Sequence, residues 1–318
     1  MNCFNIVILN YNNYEDTVEC LESIANCGEN DYSITLVDNG SDDGSTARLQ
    51  EYFGQNGDVI SCSSKTYKMV NYTNYSYGDG RLFIGIDKNY GYAVGNNIGI
   101  CEALRAGCEY VVLLNNDVTV GTRFLSPIKK VFEDSVYSIG IASGKIYYFD
   151  EPTTIWFNGG NIRKFSYRPI HYDYKRKDSN QSATSVRDVG FITGCFWTVP
   201  TKVIERVGLL SEEYFMYIED VDYCTRLRKM GYHLVVCEAS HIWHKVDFEN
   251  KTRNIQAYYY ARNMRIFVRK CLGLRRRFEA YICLFTIDPL KYLIRLDFAN
   301  LKLHMRGLSE GVNKYVER

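Results

Sequence analysis

The stretch "EYVVLLNND" (109–117) runs from Tyr110 to Leu114 without a polar side chain and then ends in Asn115-Asn116-Asp117. A short apolar run rich in β-branched residues reads as a strand buried on both faces. "NIVILN" (5–10) and "SITLVDNGSDDGS" (33–45) repeat the pattern, closing on Asn10-Tyr11-Asn12 and Asp38-Asn39-Gly40. "RLFIGID" (81–87) is a further strand, and helical patterns lie at about 14–26, after residue 45 and at about 92–107. Strand–helix alternation of this kind predicts an α/β domain with helices on both faces of a mostly parallel sheet. Ligands of such sheets bind beyond the carboxyl ends of the strands. Three polar clusters therefore share one expected crevice.

Residues 55–80 are polar, rich in Tyr and Asn and weakly periodic, and read as an extended surface loop or a hairpin. From 140 to 199 the pattern becomes β-like around a polar loop at 171–188, which makes the sheet mixed. From about 255 the chain reads as helical, with breaks at Gly273 and at Asp288-Pro289.

With 318 residues, 46% hydrophobic and 24% charged, the chain can bury a sizeable core. A net charge of +1 gives no global attraction to nucleic acid, and none is expected as a partner. The distribution is uneven. Residues 261–318 carry 13 Lys/Arg against 5 Asp/Glu, a net of +8, which leaves 25 against 32, or −7, for the rest. Such asymmetry suggests an anionic surface for the basic part. The eleven cysteines form no C-x-x-C pair, which argues against a disulfide framework or zinc ribbon. The start lacks signal-peptide features, and no run of 18 apolar residues exists to span a bilayer. A reducing, cytoplasmic setting is expected.

Four segments carry candidate chemistry. In "NYGYAVGNNIGI" (89–100), Gly91, Gly95 and Gly99 line one helix face, which admits close approach of a strand or a ligand. Helix–sheet packing is the weightier reading, although Asn96 and Asn97 add donors and acceptors. The dinucleotide fingerprint, which needs G-x-G-x-x-G after the first strand, is absent. Asp117, at a strand's carboxyl end, suits a hard divalent cation that also binds phosphate oxygens; the plainer role is a turn acid capping the next helix. "YFMYIEDVDYCTRLRKMGY" (214–232) sets Glu219, Asp220 and Asp222 after bulky apolar side chains, company that charged residues usually avoid. A helix beginning near Glu219 puts Asp220, Cys224 and Leu227 on one face and pairs Asp222 with Arg226 at i, i+4. Asp220 is then a candidate general base, its pKa raised by burial and Glu219 but lowered by the helix N-terminus, a balance the sequence leaves open. Glu219 reads as an ordinary first-turn acid. In "CEASHIWHK" (237–245), His241 and His244 lie three apart on a strand and face opposite sides, so at most one enters the site.

These motifs, with "VILNYNNYEDTVECLESI", "LVDNGSDDGS" and "TGCFWTVP", occur in the order and spacing of family 2 glycosyltransferases, and the resemblance covers about residues 4–270. The subgroup resembles rhamnosyltransferase-like and galactofuranosyltransferase-like enzymes of bacterial surface-polysaccharide assembly. The resemblance implies a GT-A (Rossmann-like) nucleotide-diphospho-sugar transferase fold: a mixed central sheet flanked by helices, with a C-terminal helical extension. It implies a catalytic domain over 1–254, its nucleotide-binding half about 1–120 and acceptor half about 121–254, followed by the extension at 255–318. It further implies inverting, Mg2+- or Mn2+-dependent transfer from a dTDP- or UDP-sugar to a glycan or lipid-linked glycan. Asn10 and Tyr11 would lie against the nucleotide, Asp38 would hydrogen-bond the base, and Asn115 would meet the ribose or diphosphate. Asn96 would add to the donor site and Gly194 would line the sugar pocket. Asp117 would bind the metal, His244 would reach the metal or diphosphate, and Asp220 would deprotonate the acceptor. Asn115 departs from the broad family's D-x-D motif, leaving the metal with fewer charges. The basic helices would lie on an anionic inner leaflet, cap the catalytic domain or form a homodimer interface. Two other readings remain: a nucleotidyltransferase, disfavoured because "NYNNYED" lacks Lys and Arg, and a non-catalytic binding relative, disfavoured because Asp117, Asp220 and His244 are all present.

Overall fold

The computed structural model describes residues 2–55, 57–180, 183–246 and 254–310. The first half alternates β1 (Phe4–Asn10), α1 (Tyr14–Ala25), β2 (Tyr32–Asp38), α2 (Ser45–Gly54), the hairpin β3 (Val59–Tyr67) and β4 (Val70–Tyr77), β5 (Leu82–Ile86), α3 (Tyr92–Ala106) and β6 (Tyr110–Asn115). Strand β1 pairs in parallel with both β2 and β6, setting Asn10 opposite Asp38 and Leu9 opposite Asn115. The three polar clusters thus leave the sheet at one level. The segment expected to be a loop or hairpin is a hairpin, and β4 pairs antiparallel with β5, extending the sheet. It also braces α3: Tyr72 donates to Glu102 at 2.8 Å and Lys65 to the same carboxylate at 2.7 Å.

The second half comprises β7 (Val118–Val120), α4 (Ser126–Asp134), β8 (Ile139–Tyr148), β9 (Ile155–Phe157), β10 (Gly160–Ile162), β11 (Pro169–His171), β12 (Val186–Asp188), β13 (Phe196–Pro200), α5 (Thr201–Val207), α6 (Glu219–Lys229) and β14 (His233–His244). The main sheet runs β12-β14-β8-β13-β6-β1-β2-β5-β4-β3. Strand β13 lies antiparallel between β6 and β8, so the sheet is mixed, as expected.

Then follow α7 (Asn254–Cys271), α8 (Leu274–Ile282), a π-helical turn over Cys283–Ile287, α9 (Asp288–Ile294) and α10 (Phe298–Ser309). The expected break at Gly273 is present. The one at Asp288-Pro289 is not: a widened turn precedes Pro289, which sits in the first turn of α9 where its missing N–H costs no helical bond. The chain instead breaks at Leu296, whose φ is +54°. Residues 311–318 of the expected extension lie outside the described residues. The described helices are fastened to the α/β part that precedes them. The Cys271 thiol donates to Asp222 at 3.0 Å, and Lys229 donates to the Cys271 carbonyl at 2.6 Å.

The glycine face of α3 is a packing device. A Cβ on Gly95 would lie 2.5 Å from Leu9 Cδ1, and one on Gly99 would lie 2.4 Å from Val7 Cγ1. Bare backbone here lets the helix sit directly on β1. Gly99→Val should therefore lower stability by about 1–3 kcal/mol through overpacking, measured as a lower denaturation midpoint with an unchanged urea slope.

Candidate active site

At the strand ends, Asn10 Nδ2 donates to Asp38 at 2.7 Å, while Asn10 Oδ1 accepts from Thr17 at 2.9 Å and from Asn116 at 3.3 Å. Asp38 also accepts from the Ser41 N–H and hydroxyl and from Thr46. Asn10 and Asp38 are fully buried. Both were expected on the nucleotide side; in the structure four protein donors fall on the Asp38 carboxylate, and Asn10 bonds within the same cluster. They fix the turn behind the crevice. Tyr11 is half-buried at the end of β1 and remains the open member of that cluster. Asn96 is likewise buried and donates to the Tyr92 carbonyl one helical turn back, at 2.9 Å, so it supports the start of α3 rather than facing open space.

Asp117 and His244 do come together. Asp117 Oδ1 lies 3.1 Å from His244 Nε2, and 30% of the Asp117 side chain is exposed. Partial burial opposes ionisation, but the charge of His244 and a hydrogen bond from Asn115 hold Asp117 below the usual carboxylate range. Burial likewise opposes the charged form of His244, yet Cys195 and Asp117 raise it well above its ordinary value. Despite the 3.1 Å approach Asp117 Oδ1 makes no well-aligned hydrogen bond, and buried His244 Nδ1 has no partner among the described residues. Among the described residues no group of three or more His, Cys, Asp or Glu is placed around a metal position. Asp117 and His244 are the two side chains here that could hold a divalent cation, and magnesium commonly takes one or two protein carboxylates with water and phosphate completing its shell. His241 faces the other way: its ring packs edge-on to Trp243 at 5.1 Å, against Gly121. Of the two histidines, His244 joins the site.

Asp220 stands opposite, in the first turn of α6. Its carboxylate accepts from Val221 N–H at 2.8 Å and from Gly194 N–H at 3.3 Å. Burial wins the contest left open by the sequence, pushing Asp220 up to about 6 against those backbone donors. Glu219 is not a solvated first-turn acid. It is buried, its Oε2 has no partner, and burial with the Asp220 charge raises its pKa well above the carboxylate range. The expected Asp222–Arg226 pair is present at 2.9 Å, with Asp222 fully buried.

Tyr92 carries no signal in the sequence, yet it meets the Asp220 side directly. Its hydroxyl donates to the Gly194 carbonyl at 2.8 Å. Burial, and then the charges of Glu219, Asp220 and Asp117 with the Cys195 thiol, raise it well above its ordinary value. Both carboxylate ends therefore lie around one phenol. Asn263 was also missed. It donates to the Met216 and Tyr217 carbonyls at 2.7 and 2.9 Å, securing two residues with left-handed φ, Tyr217 (+67°) and Ile218 (+75°), directly before Glu219.

The sequence matches Glycosyl transferase family 2 over residues 5–208 and Glycosyl transferase family group 2 over residues 110–312. The chain belongs to glycosyl transferase family 2. It is 24% identical over 310 residues to the low-salt glycan biosynthesis hexosyltransferase Agl10 of Haloferax volcanii, covering 95% of this chain and 82% of that one. It is 27% identical over 205 residues to the rhamnosyltransferase WbbL of Escherichia coli strain K12, covering 60% and 75%. GalNAc-T7, solved with UDP, GalNAc and Mn2+, matches with a TM-score of 0.59 at 13% identity over 85% of this chain. This chain spans about half (51%) of that one's length. The mannosyltransferase PcManGT from Pyrobaculum calidifontis, solved with GDP-Man and Mn2+, matches with a TM-score of 0.56 at 14% identity over 96% of this chain and 74% of that one. The expected GT-A fold and rhamnosyltransferase-like family are borne out. As a family 2 glycosyltransferase, the protein uses nucleotide sugars.

The Asp220 environment makes a stability prediction. Its unfolded carboxyl ionises near pH 3.9 and its folded one near 6, so the native state binds more protons in between. The Asp220 contribution to stability should fall as pH rises from about 4 to about 6 and level off above that window. Urea denaturation across that window should show the slope, and Asp220→Asn should reduce it.

Proposed function

We propose that this glycosyltransferase is inverting and divalent-cation-dependent, and moves a sugar from a dTDP- or UDP-sugar to a hydroxyl of a glycan or lipid-linked glycan in surface-polysaccharide synthesis. Rhamnose is the favoured sugar by similarity to the rhamnosyltransferase relative. The reading is carried by the Gly194–Asp220 contact beside Tyr92, whose hydroxyl also feels the charge of Asp117, the partner of His244.

Asp220 accepts the acceptor's proton on a carboxylate oxygen. A base with a pKa near 6 is ionised at neutral pH yet more basic than a solvated Asp. Glu219, held neutral by burial, leaves a single charged carboxylate on this side, with no second ionised group to act as nucleophile. Inversion needs one base and no covalent intermediate. Gly194 forms the sugar-facing wall between Tyr92 and Asp220, where a Cβ would lie 3.3 Å from the Tyr92 hydroxyl. Asp117 Oδ1 and His244 Nε2 would hold Mg2+ or Mn2+, which supplies a Lewis acid for the departing diphosphate. Tyr11 and Asn115 remain the proposed contacts to the nucleotide side.

The described C-terminal helices expose Leu290, Leu293, Ile294, Leu296 and Phe298 among Lys291, Arg295 and Lys302. This mixture supports peripheral binding to an anionic inner leaflet. Among the described residues no helix is long and apolar enough to cross a membrane.

Three outcomes are expected. A nucleotide sugar at about 100 times its Kd should stabilise the protein by about 2.7 kcal/mol in a Mg2+- or Mn2+-dependent manner, and Asp117→Asn should lose the cation-dependent part. Asp220→Asn should keep that stabilisation but lower kcat by about 10²–10⁴-fold, with NMR showing an inverted anomeric centre in the wild-type product. If no sugar nucleotide stabilises the protein, the donor assignment fails. Sedimentation with anionic liposomes should be strong at low salt and weak at high salt; no binding at low salt removes the membrane proposal.

A further inference from the structure

A cleft of about 900 Å3 opens between the β10–β11 hairpin, residues 188–190, the later part of α6 and the α7–α8 corner. Its charged lining is one-sided: Arg163, Lys164, Arg228, Lys229, Arg275 and Arg276 against Asp188 and Glu279. Both acids are engaged. Asp188 pairs with Arg228 at 3.0 Å and His233 at 3.1 Å, and Glu279 accepts from Tyr167 at 3.0 Å and lies 3.6 Å from Arg275. Lys229 is taken by the Cys271 carbonyl. Arg163, Lys164 and Arg276 are exposed, and among the described residues they make no ion pair. Thr225 also lines the cleft, and its buried hydroxyl has no partner. An excess of unpaired cations around an open volume, beside an unsatisfied hydroxyl, is a setting for a phosphate group.

Two further features narrow the ligand. The cleft shares α6 with the catalytic base: Thr225 and Arg228 lie about 8 and 12 Å along the helix from Asp220 at 1.5 Å per residue. The segment from 188 to 194 likewise runs from the cleft wall to Gly194 against Asp220. An acceptor with its hydroxyl at Asp220 can therefore place a more distant part of itself in the cleft. Beside the arginines of α8, Leu274 and Phe278 share a helix face and are 84% and 70% exposed. An anion subsite bordered by bare apolar side chains matches an amphiphile.

We propose that this cleft is the acceptor subsite for the phosphate or diphosphate of a lipid-anchored substrate, held by Arg163, Lys164 and Arg276, with the hydrocarbon chain leaving along Leu274 and Phe278. The inference rests on the transferase reading of Asp220 and is separate from the donor diphosphate, which belongs to the Asp117 side.

Farnesyl diphosphate serves as the probe, compared by calorimetry with inorganic pyrophosphate and with farnesol. The full chain should bind farnesyl diphosphate at least about tenfold more tightly than either, and the variant Arg163→Glu/Lys164→Glu/Arg276→Glu should weaken that binding by at least about tenfold. These side chains are exposed, so the variant should keep its melting temperature; Arg276→Ala alone, with a smaller loss, serves if it does not. Nucleotide sugar should not displace the probe, and phosphatidylglycerol vesicles should bind both proteins alike. Unchanged affinity in both variants overturns the proposal, as does displacement by nucleotide sugar. Equal binding of pyrophosphate makes the cleft a free-anion site, and loss of vesicle binding in parallel makes it a headgroup surface; either overturns the acceptor assignment. If wild type binds the probe but no sugar nucleotide, the donor reading fails and the cleft remains.

Discussion

Two adjacent carboxyl groups, Glu219 and Asp220, are held out of water at the start of α6, and the acceptor side of the molecule is arranged around tolerating that. An ionised carboxylate loses several kcal/mol of hydration when buried. Here the loss is met by retaining protons: Glu219 is raised furthest, and Asp220 is relieved by the N–H groups of Val221 and Gly194. The chain reaches this point through Tyr217 and Ile218, both at left-handed φ. For a β-branched residue such a conformation is an outlier that costs about 1–3 kcal/mol and persists only where its surroundings impose it. The imposing contacts are identifiable. Asn263 of α7 holds two carbonyls of the segment, and the Phe215 carbonyl accepts from Tyr92 N–H at 2.7 Å. Gly91 lacks a side chain where a Cβ would lie 2.4 Å from that same carbonyl.

The position of Asp220 is thus set from both sides along the chain, by the start of α3 and by α7. Asp222 repeats the arrangement one turn into α6, taking Arg226 and the Cys271 thiol while Arg226 also caps the carbonyls of Val207 and Leu209. Helix α10 then lies so close on α7 that a Cβ at Gly307 would meet the Tyr258 carbonyl at 2.3 Å. In this geometry α7 acts as part of the catalytic scaffold, and the exposed apolar surface of the later helices is carried on a support rigidly tied to the base.

The strand ends were legible because their signal is local: an apolar β-branched run followed by Asn or Asp needs only its neighbours to be read, and parallel pairing brings the ends to one level. What was not legible depends on distant partners. Asp38 reads as an open acceptor until Thr46 and Ser41 are folded back onto it. Glu219 satisfies every local rule for a first-turn acid, and helical spacing alone does not report that its face is sealed. Tyr92 is one of 27 tyrosines, and nothing around it in the chain distinguishes it before Gly194 and Asp220, over a hundred residues later, are brought against it. The Pro289 expectation failed for a different reason. A proline forbids one hydrogen bond, not a helix, and a preceding turn widened by one residue satisfies that constraint.

The two ends of the site use one residue type for opposite purposes. Asp117 and Asp220 are both aspartates near the edge of a sheet, yet one is driven below the carboxylate range and the other above it. The difference lies in their partners. Asp117 Oδ1 faces an imidazole at 3.1 Å, and that cationic neighbour favours its charged form. Among the described residues Asp220 has no cationic neighbour, only backbone N–H groups and a second acid, so its charged form is less stable and its affinity for a proton greater. Separating two carboxylates in this way is what the proposed division into charge binding and proton transfer requires. Tyr92, hydrogen-bonded to the Gly194 carbonyl and raised well above its ordinary pKa by burial and the nearby acids, adds no charge to either environment.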